Sequence, residues 1–121
     1  MIFCAISIMS LSIAVAQTQT KKVLRHIVLF KFKETASPEN IQEIVTAFKK
    51  LPSQIKLIKA YEAGLNNSPE KLNDGFNHCF TVTFSSTKDR DAYLIYPAHK
   101  AFVKILGPYL DKALVVDYWT K

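Results

Sequence analysis

Residues 26–32 read HIVLFKF, and residues 78–84 repeat the same pattern as HCFTVTF. Each stretch begins with a histidine, carries an apolar residue at every second position and ends in phenylalanine. Side chains alternate between the two faces of a strand, so each histidine shares the apolar face. Both stretches are therefore predicted to be strands, with His26 and His78 turned toward the core. The alternative for either histidine alone is that it reaches solvent from the sheet edge.

The neighbouring elements follow from helix and turn signals. Ser37 is predicted to be an N-cap and Pro38 the first residue of a helix. The apolar residues that follow keep helical spacing, and Pro52 is predicted to end this helix. Proline has no N–H to donate, so the helical segment at residues 87–106 is predicted to break at Pro97. The predicted strands cover residues 23–33, 55–65, 76–85 and 113–119, with a polar turn region at residues 66–75.

The order β-α-β-β-α-β predicts an α+β, ferredoxin-like sandwich with a four-stranded sheet and helices on one face. We expect the first and third strands to lie side by side and run parallel. His26 and His78 would then be neighbours at one edge of the sheet. The four strands carry more apolar residues than one helix layer can cover, which favours a homodimer joined through the second sheet face.

The segment 93–102, YLIYPAHKAF, is the strongest candidate for a functional site. Tyr93, Tyr96 and His99 lie within about 120° of arc on an unbroken helix, and the break at Pro97 keeps them close in space. A histidine beside tyrosines can transfer protons near neutral pH. The alternative is a packed core histidine hydrogen-bonded to a tyrosine.

The first residues differ in composition from the rest of the chain. Residues 2–16 are apolar and uncharged, and Ala14-Val15-Ala16 precedes Gln17, so we predict a signal peptide at 1–16, a flexible segment at 17–22 and one domain at 23–121. The protein would then be exported to a periplasm or secreted, without stable membrane association after cleavage. Because no Lys or Arg precedes the apolar run, an uncleaved anchor is the alternative.

Charge and cysteine content exclude several classes of function. The formal net charge of +6 comes from lysines scattered along the chain, without an arginine-rich stripe, so nucleic acid is not an expected partner. After cleavage Cys79 is the remaining cysteine, so no internal disulfide is expected. The three histidines could in principle bind zinc, copper or nickel, but they lack short ligand spacing and an acidic companion. We predict no metal and no cofactor.

Several of these residues resemble the stress-responsive α/β-barrel domain family, also called Dabb. The resemblance rests on LRHIVLFKF at 24–32, Gly-Leu-Asn at 64–66, His78, the segment 93–102 and Asp-Tyr at 117–118. It implies a ferredoxin-like chain whose two sheets pack into a dimeric barrel.

Enzymatic members of that family resemble cofactor-independent polyketide cyclases. Carried onto this chain, the resemblance makes His99 the general base and Tyr93 its hydrogen-bonding partner, with His26, His78 and Tyr96 lining the pocket. Tyr96 stands where the family commonly has histidine, which removes one titratable nitrogen.

Two functions follow from this sequence. The first is an exported homodimer that binds a small hydrophobic or aromatic molecule in a His/Tyr-lined pocket. The second is a cofactor-independent enzyme, cyclase- or isomerase-like, that uses His99 with Tyr93. The incomplete set of family residues at Tyr96 favours the first.

Overall fold

The structure, a computed structural model, describes residues 8–15 and 21–121 of the chain. Its elements are β1 (Leu24–Phe32), α1 (Pro38–Gln54), β2 (Ala60–Leu65), β3 (His78–Phe84), α2 (Thr87–Leu94), α3 (Pro97–Leu106), a short 3₁₀ turn (Gly107–Tyr109) and β4 (Leu110–Trp119). The strands form one antiparallel sheet in the order β2-β3-β1-β4. This confirms the predicted α+β, ferredoxin-like fold.

The N-terminal predictions fall largely outside this description. The signal peptide at 1–16 and the flexible segment at 17–22 include residues 1–7 and 16–20, which the structure does not describe. Residues 8–15 contain no helix or strand. Within residues 8–15 and 21–121, no helix combines the length and apolar character that crossing a membrane requires.

Helix α1 begins as its sequence predicts. The Ser37 side chain accepts a hydrogen bond from the backbone N–H of Asn40 at 3.1 Å, and the Asn40 side chain accepts one from the backbone N–H of Ser37 at 3.1 Å. The predicted end at Pro52 is wrong, because α1 continues to Gln54. A proline removes one backbone donor, and the next turn is closed by Ile55 N–H, which donates to the Leu51 carbonyl at 2.8 Å.

The register of β1 and β3 corrects the predicted placement of two histidines. Phe30 lies opposite His78, and His26 lies opposite Val82, in an antiparallel pair. Directly opposite residues share a face, so both imidazoles lie on the helix-covered face, as predicted. They are at opposite ends of the sheet, however, about 13 Å apart along the strand.

The prediction that β1 and β3 run parallel was therefore wrong, and its cause is topological. The helical crossover through α1 brings β2 back in the same direction as β1. The chain then reverses between β2 and β3, so β3 must run antiparallel to β1.

Aromatic side chains fill the core between the helices and the sheet. The rings of Phe48 on α1 and Phe80 on β3 stack with centroids 4.3 Å apart, and Phe30 and Phe102 pack around them. The core also contains isoleucines that precede β2, which begins at Ala60 and not at the predicted residue 55. These buried side chains come from a turn, and an apolar pattern alone does not distinguish that turn from a strand.

The other sheet face, here called the outer face, is formed by Ile27, Leu29, Leu114, Val116 and Tyr118. Register sets this face, since Ile27 lies opposite Val116 and Leu29 opposite Leu114. In the described part of the chain, no helix packs against it. The strand β4 lies at the edge of the sheet and is about half exposed on both faces, with Val115 at 51% on the helix-covered face and Val116 at 50% on the outer face.

Two leucine substitutions test the position of the core. Leu51 is 1% exposed in α1 and Leu72 is 79% exposed in the loop before β3. We expect Leu51→Ala to lower the free energy of unfolding by about 2–5 kcal/mol through the cavity it leaves. Leu72→Ala should change it by about 0.5 kcal/mol or less. Urea denaturation measures both, and equal effects would contradict this description of the core.

Candidate functional site

The candidate site lies where the chain breaks between α2 and α3. Tyr96 has extended backbone angles, φ −65° and ψ 138°, because the following Pro97 disfavours a helical conformation there. Pro97 then begins α3, as predicted from sequence. The Tyr96 N–H donates to the Tyr93 carbonyl at 3.1 Å and closes the turn. The break brings the end of α2 against the first turn of α3.

This turn holds the His99 imidazole in one orientation. His99 Nδ1 lies 3.1 Å from the carbonyl oxygen of Leu94, the last residue of α2. A carbonyl can only accept, so Nδ1 carries the proton and Nε2 is left as an acceptor. Burial lowers the pKa of His99 below its usual 6.5; the Leu94 carbonyl opposes this shift and the nearby His26 adds to it. His99 is thus a neutral base at neutral pH.

Tyr93 lies between two histidines. Its ring centroid is 4.5 Å from that of His99 and 5.9 Å from that of His26. The side chain is 1% exposed, and burial raises its pKa well above the usual 10, with the nearby Tyr61 adding to the shift. The phenol therefore stays protonated across the physiological range and can donate a hydrogen bond.

His26 is held by a carboxylate from the neighbouring strand. Its Nδ1 lies 2.7 Å from Oδ1 of Asp117, which is directly opposite in β4. The second oxygen of Asp117 accepts from the Arg90 guanidinium of α2 at 2.9 Å. His26 is 5% exposed, whereas the side chains of Asp117 and Arg90 are 19% and 23% exposed, so this arrangement joins β1, β4 and α2 at the boundary between core and solvent.

These groups line one cavity of about 510 Å³, here called the histidine cavity. It lies between the helix break and the strands β1 and β4. Its polar end holds His26, Tyr93, His99, Arg90 and Asp117. The remaining wall is mainly apolar, with Val28, Phe30, Phe48, Leu94, Phe102, Val103, Leu106, Ala113 and Val115, and Asp91 completes it.

Two of the predicted pocket residues lie elsewhere. His78 lines a separate cavity of about 420 Å³ between α1 and the strands β2 and β3, where burial lowers its pKa. Tyr96 is 37% exposed at the start of α3 and does not line the histidine cavity. The structure thus brings His26, Tyr93 and His99 together but separates them from His78 and Tyr96.

Sequence reasoning assigned no role to two residues of this site. Asp117 is the single acid in the otherwise apolar run at residues 113–119, and that contrast was the available signal. Its pairing with His26 depends on strand register, which the sequence did not reveal. Arg90 lies 27 positions from Asp117 on a polar helix, and no sequence pattern connects the two. Across residues 8–15 and 21–121, no group of three or more His, Cys, Asp or Glu side chains is placed to hold a metal ion.

The chain is similar in sequence to a known family and to several known proteins. The stress responsive A/B barrel domain family, Dabb, matches residues 24–120. A stress-response A/B barrel domain-containing protein of Arabidopsis thaliana, HS1, is 37% identical over 100 residues, which span 83% of this chain and 92% of HS1. Olivetolic acid cyclase of Cannabis sativa is 26% identical over 95 residues, covering 78% of this chain and 94% of the cyclase.

A solved structure adds a structural relative. A dimeric protein of unknown function with a ferredoxin-like fold, from Bacteroides fragilis, is 31% identical with a TM-score of 0.65. The match covers 79% of this chain and 94% of that protein. Fold, sequence and relatives agree, and the chain belongs to the stress-responsive A/B barrel domain family.

Proposed function

We propose that the protein is an exported homodimer that binds a small, mainly apolar or aromatic molecule in the histidine cavity. The observation that carries the proposal is the convergence of His26, Tyr93 and His99 at one end of an apolar cavity. Its volume of about 510 Å³ lies in the usual range for small-molecule sites. An apolar wall with a few converging polar groups favours a ligand whose polar group reaches the histidines.

The protonation states define that polar group further. Neutral His99 presents Nε2 as an acceptor, and protonated Tyr93 presents a donor. A ligand with a phenol or an acidic C–H beside an oxygen acceptor complements both. We therefore expect a ligand whose polar end both donates a hydrogen bond to His99 and accepts one from Tyr93.

The same arrangement favours a second candidate function, a cofactor-independent acid–base enzyme. His99 Nε2 would remove a proton from an acidic C–H, and the Tyr93 hydroxyl would donate to the oxyanion that forms. The orientation of His99 by the Leu94 carbonyl supports this role, because it leaves the basic nitrogen unprotonated. The 26% identical relative from Cannabis sativa is named a cyclase, which is compatible with such chemistry.

The homodimer part of the proposal rests on the outer face. Exposed apolar residues on a sheet without a helix layer are typical of an interface. The Bacteroides fragilis relative, which is described as dimeric, supports the same assembly. We propose that the outer faces of two copies pack together, in the barrel arrangement that the resemblance implied.

Export is proposed from the apolar run and its small-residue boundary. N-terminal sequencing of the protein from its own cells should find a chain that begins at Gln17. Ala16→Leu removes the small residue that cleavage requires and should leave a longer chain. A chain that begins at Met1 in the membrane fraction would support the anchor alternative and contradict cleavage.

Two neighbouring valines test the dimer. Val116→Glu places a charge on the outer face, and we expect the dimer dissociation constant to rise by at least about 100-fold, because an unpaired buried charge costs several kcal/mol. Val115→Glu lies on the opposite face of the same strand with similar exposure and should leave the dimer intact. Analytical ultracentrifugation measures both. A wild-type monomer, or equal effects of both substitutions, would argue against this interface.

Matched substitutions test the cavity, with 2-naphthol as an apolar phenol probe. His99→Ala should weaken its binding by about 1–3 kcal/mol through one lost buried hydrogen bond, and Tyr93→Phe should weaken it similarly. The controls His78→Ala and Tyr96→Phe make the same changes outside the histidine cavity and should leave binding unchanged. Calorimetry gives the affinities, and equal effects in site and control variants would refute the site.

The pH dependence of binding should follow His99. Its lowered pKa keeps the imidazole neutral above the usual value of 6.5. Calorimetry should therefore find constant binding of 2-naphthol from there to about pH 9, where a phenol begins to ionise, and weaker binding in more acidic solution.

Proton exchange separates binding from catalysis. The cavity, if catalytic, should accelerate deuterium exchange at the acidic C–H of phenylacetone in D₂O, followed by NMR. His99→Ala should reduce that acceleration by about 10²–10⁴-fold while His78→Ala should not. If the wild-type protein binds phenylacetone but does not accelerate its deuterium exchange, the enzymatic function is rejected and the binding function stands.

A further inference from the structure

The Asp117 carboxylate is shared between two donors. Oδ1 lies 2.7 Å from His26 Nδ1, and Oδ2 accepts from Arg90 at 2.9 Å. Arg90 also donates from Nε to Asp91 at 3.0 Å, so its planar guanidinium is held at two points. Both aspartates raise the pKa of Arg90, Asp117 most strongly. The result is a fixed cation immediately behind the carboxylate that contacts His26.

The surroundings of His26 make this cation important. Asp117 faces the imidazole from β4, Tyr93 faces it from α2, and His99 lies beyond Tyr93 on α3. On β3 its neighbour is the uncharged ring of Phe84, 6.2 Å away. In the described part of the chain, Asp117 is thus the one acid in contact with the His26 ring.

An aspartate that contacts histidine alone favours the imidazolium form. Arg90 opposes this in two ways. It occupies the other oxygen of the same carboxylate, and its positive charge repels a second positive charge on His26. The hydrogen bond to Asp117 then persists with a neutral ring, in which Nδ1 donates and Nε2 accepts.

We propose that Arg90 is a positioning residue that acts through Asp117 to keep His26 neutral and fixed in its Nδ1–H tautomer. The histidine cavity then presents two neutral imidazoles, His26 and His99, on either side of the Tyr93 phenol. The inference deepens the proposed function of that cavity, since it adds a second acceptor nitrogen at its polar end. It also explains why a charged helix residue lies at the wall of a mainly apolar cavity.

The direct test is NMR titration of the imidazole signals in the whole domain, without any ligand. In Arg90→Gln we expect the His26 midpoint to rise by about one pH unit or more, because the cation that opposes the imidazolium has been removed. Arg90→Lys keeps the charge but loses the planar fork, and should raise the midpoint by less. The imidazole of His78, in the other cavity, is the internal reference and should not move.

A control separates this effect from a general loss of structure. Asp91→Asn removes the exposed carboxylate partner of Arg90 but keeps the contact between Arg90 and Asp117, so it should move the His26 midpoint less than Arg90→Gln does. A purely structural Arg90 would change the thermal unfolding temperature without moving the His26 titration. An unchanged midpoint in folded Arg90→Gln overturns the proposal.

A second measurement needs no variant. The ¹⁵N shifts of wild-type His26 at pH 7 should show a neutral ring protonated at Nδ1. An imidazolium pattern, or a proton on Nε2, would also overturn the proposal, even if Arg90→Gln failed to fold.

These readouts fail independently of the proposed function. Binding of 2-naphthol together with an unchanged His26 midpoint rejects the role of Arg90 and leaves the cavity function standing. A shifted His26 midpoint in Arg90→Gln without binding of 2-naphthol supports the role of Arg90 and rejects the cavity function. With both present, Arg90→Gln should move the acid limit of 2-naphthol binding toward higher pH, whereas His78→Ala should not.

Discussion

The antiparallel register of β1 and β4 is the constraint on which the site depends. It places Asp117 opposite His26 and Val115 opposite Val28, all on the face that the helices cover. A shift of one residue would turn Asp117 to the outer face and leave a buried imidazole facing an apolar side chain. Because a buried polar group without a partner is costly, the His26–Asp117 contact and the strand register support each other.

The site is assembled from two layers that meet at the helix break. The sheet contributes His26 and Asp117, whereas α2 and α3 contribute Arg90, Tyr93 and His99. A continuous helix would close the Leu94 carbonyl with a backbone N–H four residues later. The break at Pro97 leaves that carbonyl to orient His99 instead. One proline therefore produces both the bend that forms part of the cavity wall and the hydrogen bond that fixes the tautomer of its base.

Local sequence patterns predicted the fold and three of the five polar residues of the site, namely His26, Tyr93 and His99. The Ser37 cap, the break at Pro97 and the inward faces of His26 and His78 follow from nearest-neighbour rules, and the structure has all of them. The separation of His26 from His78 depends on strand direction, which is set by connections and not by the strands' own residues. Arg90 and Asp117 meet only after a helix has packed on a strand, so no sequence spacing reveals the contact.

The two faces of β4 connect the proposed dimer with the cavity. Val115 and Asp117 face the histidine cavity, and Leu114, Val116 and Tyr118 face outward from the same ten-residue edge strand. A long apolar edge strand with both faces half exposed is prone to pair with other chains. In the proposed homodimer the second copy covers the outer side, which restricts the motion of β4. Asp117 belongs to that strand, so burial of the outer side would also restrict the motion of the carboxylate that orients His26. The dimer interface and the site therefore share one structural element, β4.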